Sequence, residues 1–548
     1  MEKRIFAAIV ISVALLWIWA AVAPRLFPEL ARPKPVPATT TSKPATAAVT
    51  TRPQLPAANA EKPAAVTQPV AAVAPVAESS VISTIVETPD YIAVFSNRGA
   101  QLVSFKLRNY KDKKNQPVEL VKERPPARAD FPFAIEAQNG AVASRLNTAL
   151  YAVNVVRGER DVVRSIEYRY AGDGVSAKKT FTFDSPYLFD FSISVTPAIP
   201  YRTIIGPGIR VLGPEERDNR IIITGNGVVQ RGGSLAVLPR EKGDRLRIYG
   251  PVDFIGIEDN YFLTVLRPKK GDGAVLRRID VASGSEIRKE LYAGVNAGPD
   301  GVITGDAFFG PKETKLLDRY GLASTLQFGT FGIIARFLLD VLVWIDRATK
   351  NYGWAIIVLT IIIKVVLYPL QHKSIVSMKK MQKVQPKMEA IKNRYKKART
   401  DPEQRNRMNT EMMKLYQQEG INPMSGCIPI LLQLPILWGF YGLLSKAIEL
   451  RGAPFMGWIL DLSDKDPFYV TPILMTITMF IQTWITPSTG DPSQRRMFLI
   501  MPLVFGFIFK DMPSGLVLYW LVQNILTIVQ QTIMNKWWKD HPTELQTA

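Results

Sequence analysis

Apolar runs that are candidates to span a membrane recur along this chain. In hydrocarbon every backbone N–H and C=O must be satisfied internally, which leaves only helices and closed barrels. Ile5 to Ala23 is the first such run; at about 1.5 Å per helical residue it reaches roughly 28 Å, close to the hydrocarbon thickness of a bilayer. Five more follow in the C-terminal half: Tyr352 to Leu370, Pro423 to Leu444, Phe468 to Pro487, Met497 to Phe509 and, beyond Lys510-Asp511, Ser514 to Met534. A polytopic α-helical membrane protein of six spans is the expected fold class. A cleaved signal peptide is the alternative for the first run, because Ala21-Val22-Ala23 has the small residues of a cleavage site. Its length and the interfacial pair Trp17 and Trp19 favour a retained anchor over residues 1–23.

Composition removes several function classes. With 548 residues, 47% hydrophobic and 21% charged, the chain is too large and apolar for a disordered or disulfide-stapled protein. Cys427 is the sole cysteine and His372 and His541 the only histidines, so no zinc, haem or iron–sulfur site can be assembled from such ligands. No cofactor is expected, and metal and thiol enzymes drop out. Lys and Arg number 68 against 48 Asp and Glu, a net charge of +20, which favours anionic partners: phosphate, lipid headgroup or acidic peptide.

Residues 24–80 shift to Pro, Ala, Thr and Val, as in Arg32-Pro33-Lys34-Pro35-Val36-Pro37; such a segment buries too little to fold and reads as an extended linker. Over residues 81–310 the pattern becomes strand-like. Phe189, Phe191, Ile193 and Val195 alternate with Asp190, Ser192, Ser194 and Thr196, the period of a half-buried strand. Turn signals stand at Gly172-Asp173-Gly174, Gly206-Pro207-Gly208, Gly225-Asn226-Gly227 and Gly232-Gly233, so one large β-sandwich domain is expected. Gly206-Pro207-Gly208 lacks the third glycine and following helix of a dinucleotide loop.

Phe328 to Ile345 is apolar but carries Arg336 and Asp340, with Arg347 just beyond, at i, i+4 and i+11. Region 311–350 is therefore read as an amphipathic interfacial helix rather than a seventh span. With six spans, the positive-inside rule puts Lys3, Arg4, the basic loop of residues 372–421, Arg495, Arg496, Lys536 and Lys539 in the cytoplasm. Both termini then face the cytoplasm, while the β-domain and the loop bearing Asp461, Asp464 and Asp466 face the periplasm of a bacterial inner membrane.

Lys364 interrupts the second span, residues 351–371. An ammonium there costs a few kcal/mol on insertion scales, so an intramembrane charge is a functional candidate by default. Snorkelling is the alternative, since Leu370 lies six residues on, about 9 Å along the helix. The apolar runs contain no Asp or Glu, which leaves the cation without a protein counter-charge. That combination points to a wet cavity open to the cytoplasm, with the negative partner supplied by a substrate. Within spans three to six, residues 422–534, Trp520, Asn524, Thr527 and Gln531 recur at helical spacing beside Tyr519, Gln523 and Gln530. Hydrogen bonding between helices explains such amides equally well. Gln433 and Thr360 are candidates for the same cavity.

The basic loop holds Lys379, Lys380, Lys383, Lys387, Lys392, Arg394, Lys396 and Lys397, interleaved with Met378, Met381, Met388, Ile391 and Tyr395, and breaks at Thr400-Asp401-Pro402. This reads as a helical hairpin. Its charge suits anionic lipid, or a ribosome or targeting receptor, since phosphate contact needs no sequence readout; specific DNA binding is not expected.

Tyr368-Pro369-Leu370, Ser377-Met378, a turn at Gln385-Pro386-Lys387, Asn422-Pro423, Gln433-Leu434-Pro435-Ile436 and Pro513-Ser514-Gly515-Leu516-Val517-Leu518-Tyr519-Trp520 stand in one order. Together they closely resemble the YidC/Oxa/Alb family of membrane protein insertases over about residues 350 to 535. Anchor, linker and β-domain match its Gram-negative architecture, with Asp259-Asn260-Tyr261-Phe262 as a weaker signature. The resemblance implies a five-helix insertase core, a hydrophilic groove open to cytoplasm and lipid, and a periplasmic supersandwich from which no sugar chemistry follows. It also implies one positive charge in the second span, usually arginine; here Lys364 keeps the charge but loses the bidentate fork. By the same resemblance Thr360, Gln433, Tyr519 and Trp520 line the groove. The tail, residues 535–548, is short and only mildly basic, which leaves the hairpin as the better ribosome-docking candidate.

The expected function is insertion and folding of nascent inner-membrane proteins, alone or with the Sec translocon, without enzymatic chemistry. Two rivals belong to other classes. A solute carrier would need the intramembrane carboxylate that is missing, and an envelope-assembly or sugar-binding protein would do its work in the β-domain.

Overall fold

The computed structural model describes residues 76–112, 114–121, 131–210, 225–239, 246–283, 286–396, 401–420, 428–486 and 492–540. The expected anchor, most of the linker, Lys397, Cys427 and the tail beyond residue 540 lie outside the described residues. Two compact units divide the chain, one ending at Lys312 and the other resuming at Glu313.

Among its described residues the first unit forms antiparallel sheets of four, five and nine strands. Strand Leu188–Thr196 buries Phe189, Phe191, Ile193 and Val195 and leaves Asp190 and Thr196 exposed, as its alternation requires. Aromatic rings join the sheets. Phe95 of the four-stranded sheet lies 4.7 Å from Phe181 of the nine-stranded one, and Phe105 lies 5.4 Å from Phe309. Two of the expected turns close hairpins: Asp173 and Gly174 (φ 51° and 76°) between strands Val163–Gly172 and Val175–Ser185, and Gly232-Gly233 (φ 55° and 77°). Positive φ at both central residues matches the strand twist. At Gly225-Asn226-Gly227 the expected turn is cut short, because Asn226 and Gly227 already pair with Glu258 and Ile257. Gly227 is small for packing: a β-carbon there would sit 2.3 Å from the Leu276 side chain.

Asp259 explains the weaker signature. Its Oδ1 accepts from the Tyr261 and Phe262 amides at 2.8 and 2.7 Å, and its Oδ2 accepts from Arg210 Nε at 2.5 Å. Both side chains of that ion pair are at most 3% exposed. Lys312, also buried, donates to Glu258 at 2.9 Å.

The second unit is helical. Helix Gly332–Thr349 buries Ala335, Leu338, Leu339, Leu342 and Ile345 against helices Tyr352–Arg394 and Ile428–Lys446. Its outward face carries Ile333, Phe337 and Trp344 beside Asp340 and Arg347. Arg336 leaves that face to pair with Asp318 at 2.8 Å.

Helix Tyr352–Arg394 starts at Asn351, whose Oδ1 accepts from the Gly353 and Trp354 amides. Its 43 residues span about 65 Å, twice a bilayer's hydrocarbon. The turn expected at Gln385-Pro386-Lys387 does not form, since both Pro369 and Pro386 lie inside the helix. An internal proline costs about 3 kcal/mol or more. Here burial of Met381, Val384, Met388 and Ile391 against Leu415 of helix Pro402–Gln418 offsets it, with Tyr395, Met408, Met412 and Tyr416 at the edges. The break falls where the sequence put it, at Asp401, which caps the second hairpin helix through the Glu403 and Gln404 amides.

Among the described residues, helices Tyr352–Arg394 and Ser514–Asp540 contain stretches long and apolar enough to cross a membrane; Val470–Ile485 and Phe498–Phe509 are shorter apolar stretches. The loop between helices Ile428–Lys446 and Val470–Ile485 is ordered by Asp466. Its carboxylate accepts from Trp458 Nε1, the Phe468 amide, and the amide and hydroxyl of Thr471. Burial alone would raise the Asp466 pKa, and these bonds outweigh it, holding it below the usual carboxylate value. The same loop fixes where the last helix begins: the Ser514 and Gly515 amides, orphan donors of a helix N-terminus, reach the Asp464 and Leu462 carbonyls at 2.7 and 3.0 Å.

Candidate functional site

Helix Tyr352–Arg394 packs against helix Ser514–Asp540, which in turn packs against Val470–Ile485. Lys364 sits at the first of these contacts, 8% exposed. Its Nζ donates to Thr527 Oγ1 at 2.8 Å, and that hydroxyl donates on to the Gln523 carbonyl at 2.7 Å. Among the described residues no carboxylate pairs with Lys364. An ammonium has three donors, and the described residues answer one of them.

Polar atoms gather along the same last helix. The Tyr519 hydroxyl, Trp520 Nε1, Gln523 Oε1 and both amide atoms of Gln530 are buried without a hydrogen-bond partner, as is Gln482 Oε1 on helix Val470–Ile485. Each such atom would cost about 1–3 kcal/mol in a dry interior.

The residues expected from the sequence divide into groups. Tyr519 stacks on Phe440 at 4.4 Å, and its hydroxyl lies near Gln433 without an aligned hydrogen bond. Trp520 packs against Phe505 and Phe509 at 6.0 and 5.4 Å. Asn524 ties two helices together, donating to the Met475 carbonyl at 3.4 Å and to Thr478 Oγ1 at 3.3 Å. Thr360 is fully buried and its hydroxyl returns to the Ile356 carbonyl of its own helix. Lys364 is thus brought together with Thr527, and Tyr519 with Gln433, whereas Trp520, Asn524 and Thr360 make their contacts elsewhere. Thr527 stood in the polar stripe without being singled out as the partner of Lys364. Gln482 had a weaker signal, a lone amide in an apolar run.

Two of the basic hairpin residues are used within the hairpin. Lys387 pairs with Glu419 at 2.6 Å and Arg394 pairs with Glu411. Lys383 and Lys396 are exposed; Lys379, Lys380 and Lys392 are half-buried. Among the described residues no group of three or more His, Cys, Asp and Glu side chains is placed to hold a metal.

The family model described as 60Kd inner membrane protein matches residues 344–541, and that of the YidC periplasmic domain matches residues 83–199 and 240–341. The membrane protein insertase YidC of Geobacter metallireducens is 33% identical over 569 residues, covering 98% of each chain. That of Nitratidesulfovibrio vulgaris is 34% identical over 566 residues, covering 98% of this chain and 99% of the relative. A crystal structure of an active YidC insertase with its first transmembrane domain resolved is 19% identical, covering 82% of this chain and 93% of that one, with a TM-score of 0.36. On full-length identity to these relatives, the chain belongs to the YidC family of membrane protein insertases, inner membrane proteins whose named activity is not enzymatic.

Proposed function

We propose that the protein inserts nascent membrane proteins through a polar groove formed by its last five spans, with six spans in all, both termini cytoplasmic and the β-domain periplasmic. One observation carries this reading: a buried ammonium answered, among the described residues, by a single hydroxyl, beside a last helix rich in unsatisfied buried polar atoms. A native interior retains such atoms where a ligand or solvent completes them. An acidic outer segment of a substrate is the complementary ligand.

The steps follow from charge and partition. Lys364 attracts the acidic segment into the groove, which shortens the apolar barrier its polar residues must cross. The substrate's hydrophobic helix moves along Tyr519, Trp520 and Gln433 into lipid, driven by removal of apolar surface from water. The membrane potential adds about 2.3 kcal/mol per charge per 100 mV for acidic residues drawn outward. Lys379, Lys380, Lys383, Lys392, Lys396 and Lys397 of the hairpin contact the ribosome, a targeting receptor or anionic lipid. The Sec translocon is a partner for the larger substrates.

Photoreactive side chains placed at Thr360, Gln433, Tyr519 and Trp520, one at a time, test the path. Ribosome-bound nascent membrane chains should crosslink at these positions and not at Ile333 on the outward face of helix Gly332–Thr349. Equal labelling at all five would remove the groove from the account.

A further inference from the structure

The β unit carries a basic cleft that the insertion mechanism does not use. It encloses about 600 Å³, within the range of ligand pockets. Three arginines line it: Arg98, Arg202 of strand Tyr201–Ile205 and Arg277 of strand Ala274–Ser283. Glu136 of the edge strand Ala134–Ala137 is the one carboxylate in the lining. It accepts a hydrogen bond from Arg277 and faces Arg202 Nε at 3.7 Å. Arg277 is further held over the Tyr292 ring, 5.7 Å from its centroid, while its Nε is buried with no hydrogen-bond partner. Arg98 is exposed, and among the described residues its side chain meets no carboxylate. Among the described lining residues three guanidinium groups face one carboxylate, a local excess of positive charge in a recessed, preformed site.

We propose that this cleft binds an acidic peptide segment, with glutamate or aspartate side chains taken up by the three arginines. Guanidinium groups present planar donor pairs that match a carboxylate. Glu136 pre-orients two of them, so little side-chain freedom is lost on binding. The opposite wall, helix Gly140–Thr148, contributes Ser144, Asn147 and Thr148, with the small Ala143 between them. Asn147 is itself locked by two hydrogen bonds to the Ile135 backbone, both 2.8 Å. A polar floor of this kind suits a hydrated peptide. A lipid surface would call for exposed apolar side chains beside the charge, and none lines the cleft.

The test uses the full chain in detergent and a synthetic peptide of alternating glutamate and serine with a photoreactive group at its centre. Adducts mapped by mass spectrometry should fall on residues 134–148. They should drop about tenfold or more in Arg98→Glu, the loss expected when a charge-assisted contact becomes a repulsion, and by less in Arg98→Gln. Adducts on the cytoplasmic hairpin should not change, and a glutamine–serine peptide should give none in the cleft. Arg98 is exposed and holds no other side chain, so these variants keep the fold. Adducts in the cleft that ignore Arg98→Glu, or adducts confined to the hairpin, would overturn the proposal. So would competition by inorganic phosphate or phosphatidylglycerol vesicles as strong as by unlabelled peptide, which would reassign the cleft to phosphate.

Discussion

The two units treat a buried lysine in opposite ways. In the β unit Lys179 is fully buried and donates to three backbone carbonyls, of Gly99, Phe133 and Ala100, at 2.6, 2.7 and 3.4 Å. Lys312 faces a carboxylate. In the helical unit Lys364 is nearly as buried and, among the described residues, has one hydroxyl. A saturated lysine is part of the architecture: it fastens strand Val175–Ser185 to the turn at Gly99 and to Phe133. An unsaturated one holds donors in reserve, at a position where desolvating them is expensive. The difference separates a lysine whose donors are taken up by the fold from one with donors to spare among the described residues.

Reversal at the unsaturated site is the largest perturbation. Lys364→Glu should lower insertion of a substrate with an acidic outer segment by more than about tenfold in membrane vesicles, whereas Lys364→Arg stays within about twofold, because attraction needs the charge and not its shape. Equal activity of the two variants would break the comparison at its functional end.

At the architectural end, Asp259→Asn removes the negative charge facing Arg210 and should destabilise the β unit by about 3 kcal/mol or more. Hydrogen exchange over strands Phe254–Glu258 and Phe262–Lys270 reads this in the intact protein. Insertion should persist at temperatures where the unit stays folded. Loss of insertion with unchanged exchange would place Asp259 in the function and not in the scaffold.

Lys179 sharpens the contrast through pH. Burial pulls its pKa down to about 7, against about 10.4 in an unfolded chain. Between those values the unfolded chain holds a proton that the folded one has released. Stability of the β unit should therefore rise with pH above about 7, by up to about 1.4 kcal/mol per unit, and show no contribution from this group well below 7. The difference in pH slope between the native protein and Lys179→Met isolates the effect; parallel slopes would refute it.

The smallest effect is at the partner hydroxyl. Thr527→Val keeps the shape and deletes the acceptor that Lys364 has among the described residues, so insertion should fall only about threefold, the scale of a single net hydrogen bond. A loss as deep as that of Lys364→Glu would mean that Thr527 positions the charge and not merely accompanies it.

Much of this contrast was legible in the residues, and the rest was not for physical reasons. Periodicity alone placed Phe189, Phe191, Ile193 and Val195 inward, and the spacing of Met381, Met388 and Ile391 foretold the hairpin seam. The same alternation puts Lys179 in line with Ala177, Phe181 and Phe183, a signal that a search for charges within apolar runs passes over. Local rules misjudged Pro386, because the seam that holds its helix together is closed by Leu415 from another helix. Asp259 could be recognised as a signature, but its partner Arg210 lies 49 residues away. Lys364 was evident as a charge within an apolar run. That it ends on Thr527, 163 residues on, required the packed helices.

On the proposed function, the helical unit supplies a charged, wet path by itself. Reconstituting the purified protein alone in liposomes and measuring protease protection of a newly translated two-span membrane protein tests this most directly. The account predicts protection well above empty liposomes, retained in Lys364→Arg and lost in Lys364→Glu. Protection no better than empty liposomes would contradict it and make the protein an accessory that acts only with a Sec partner.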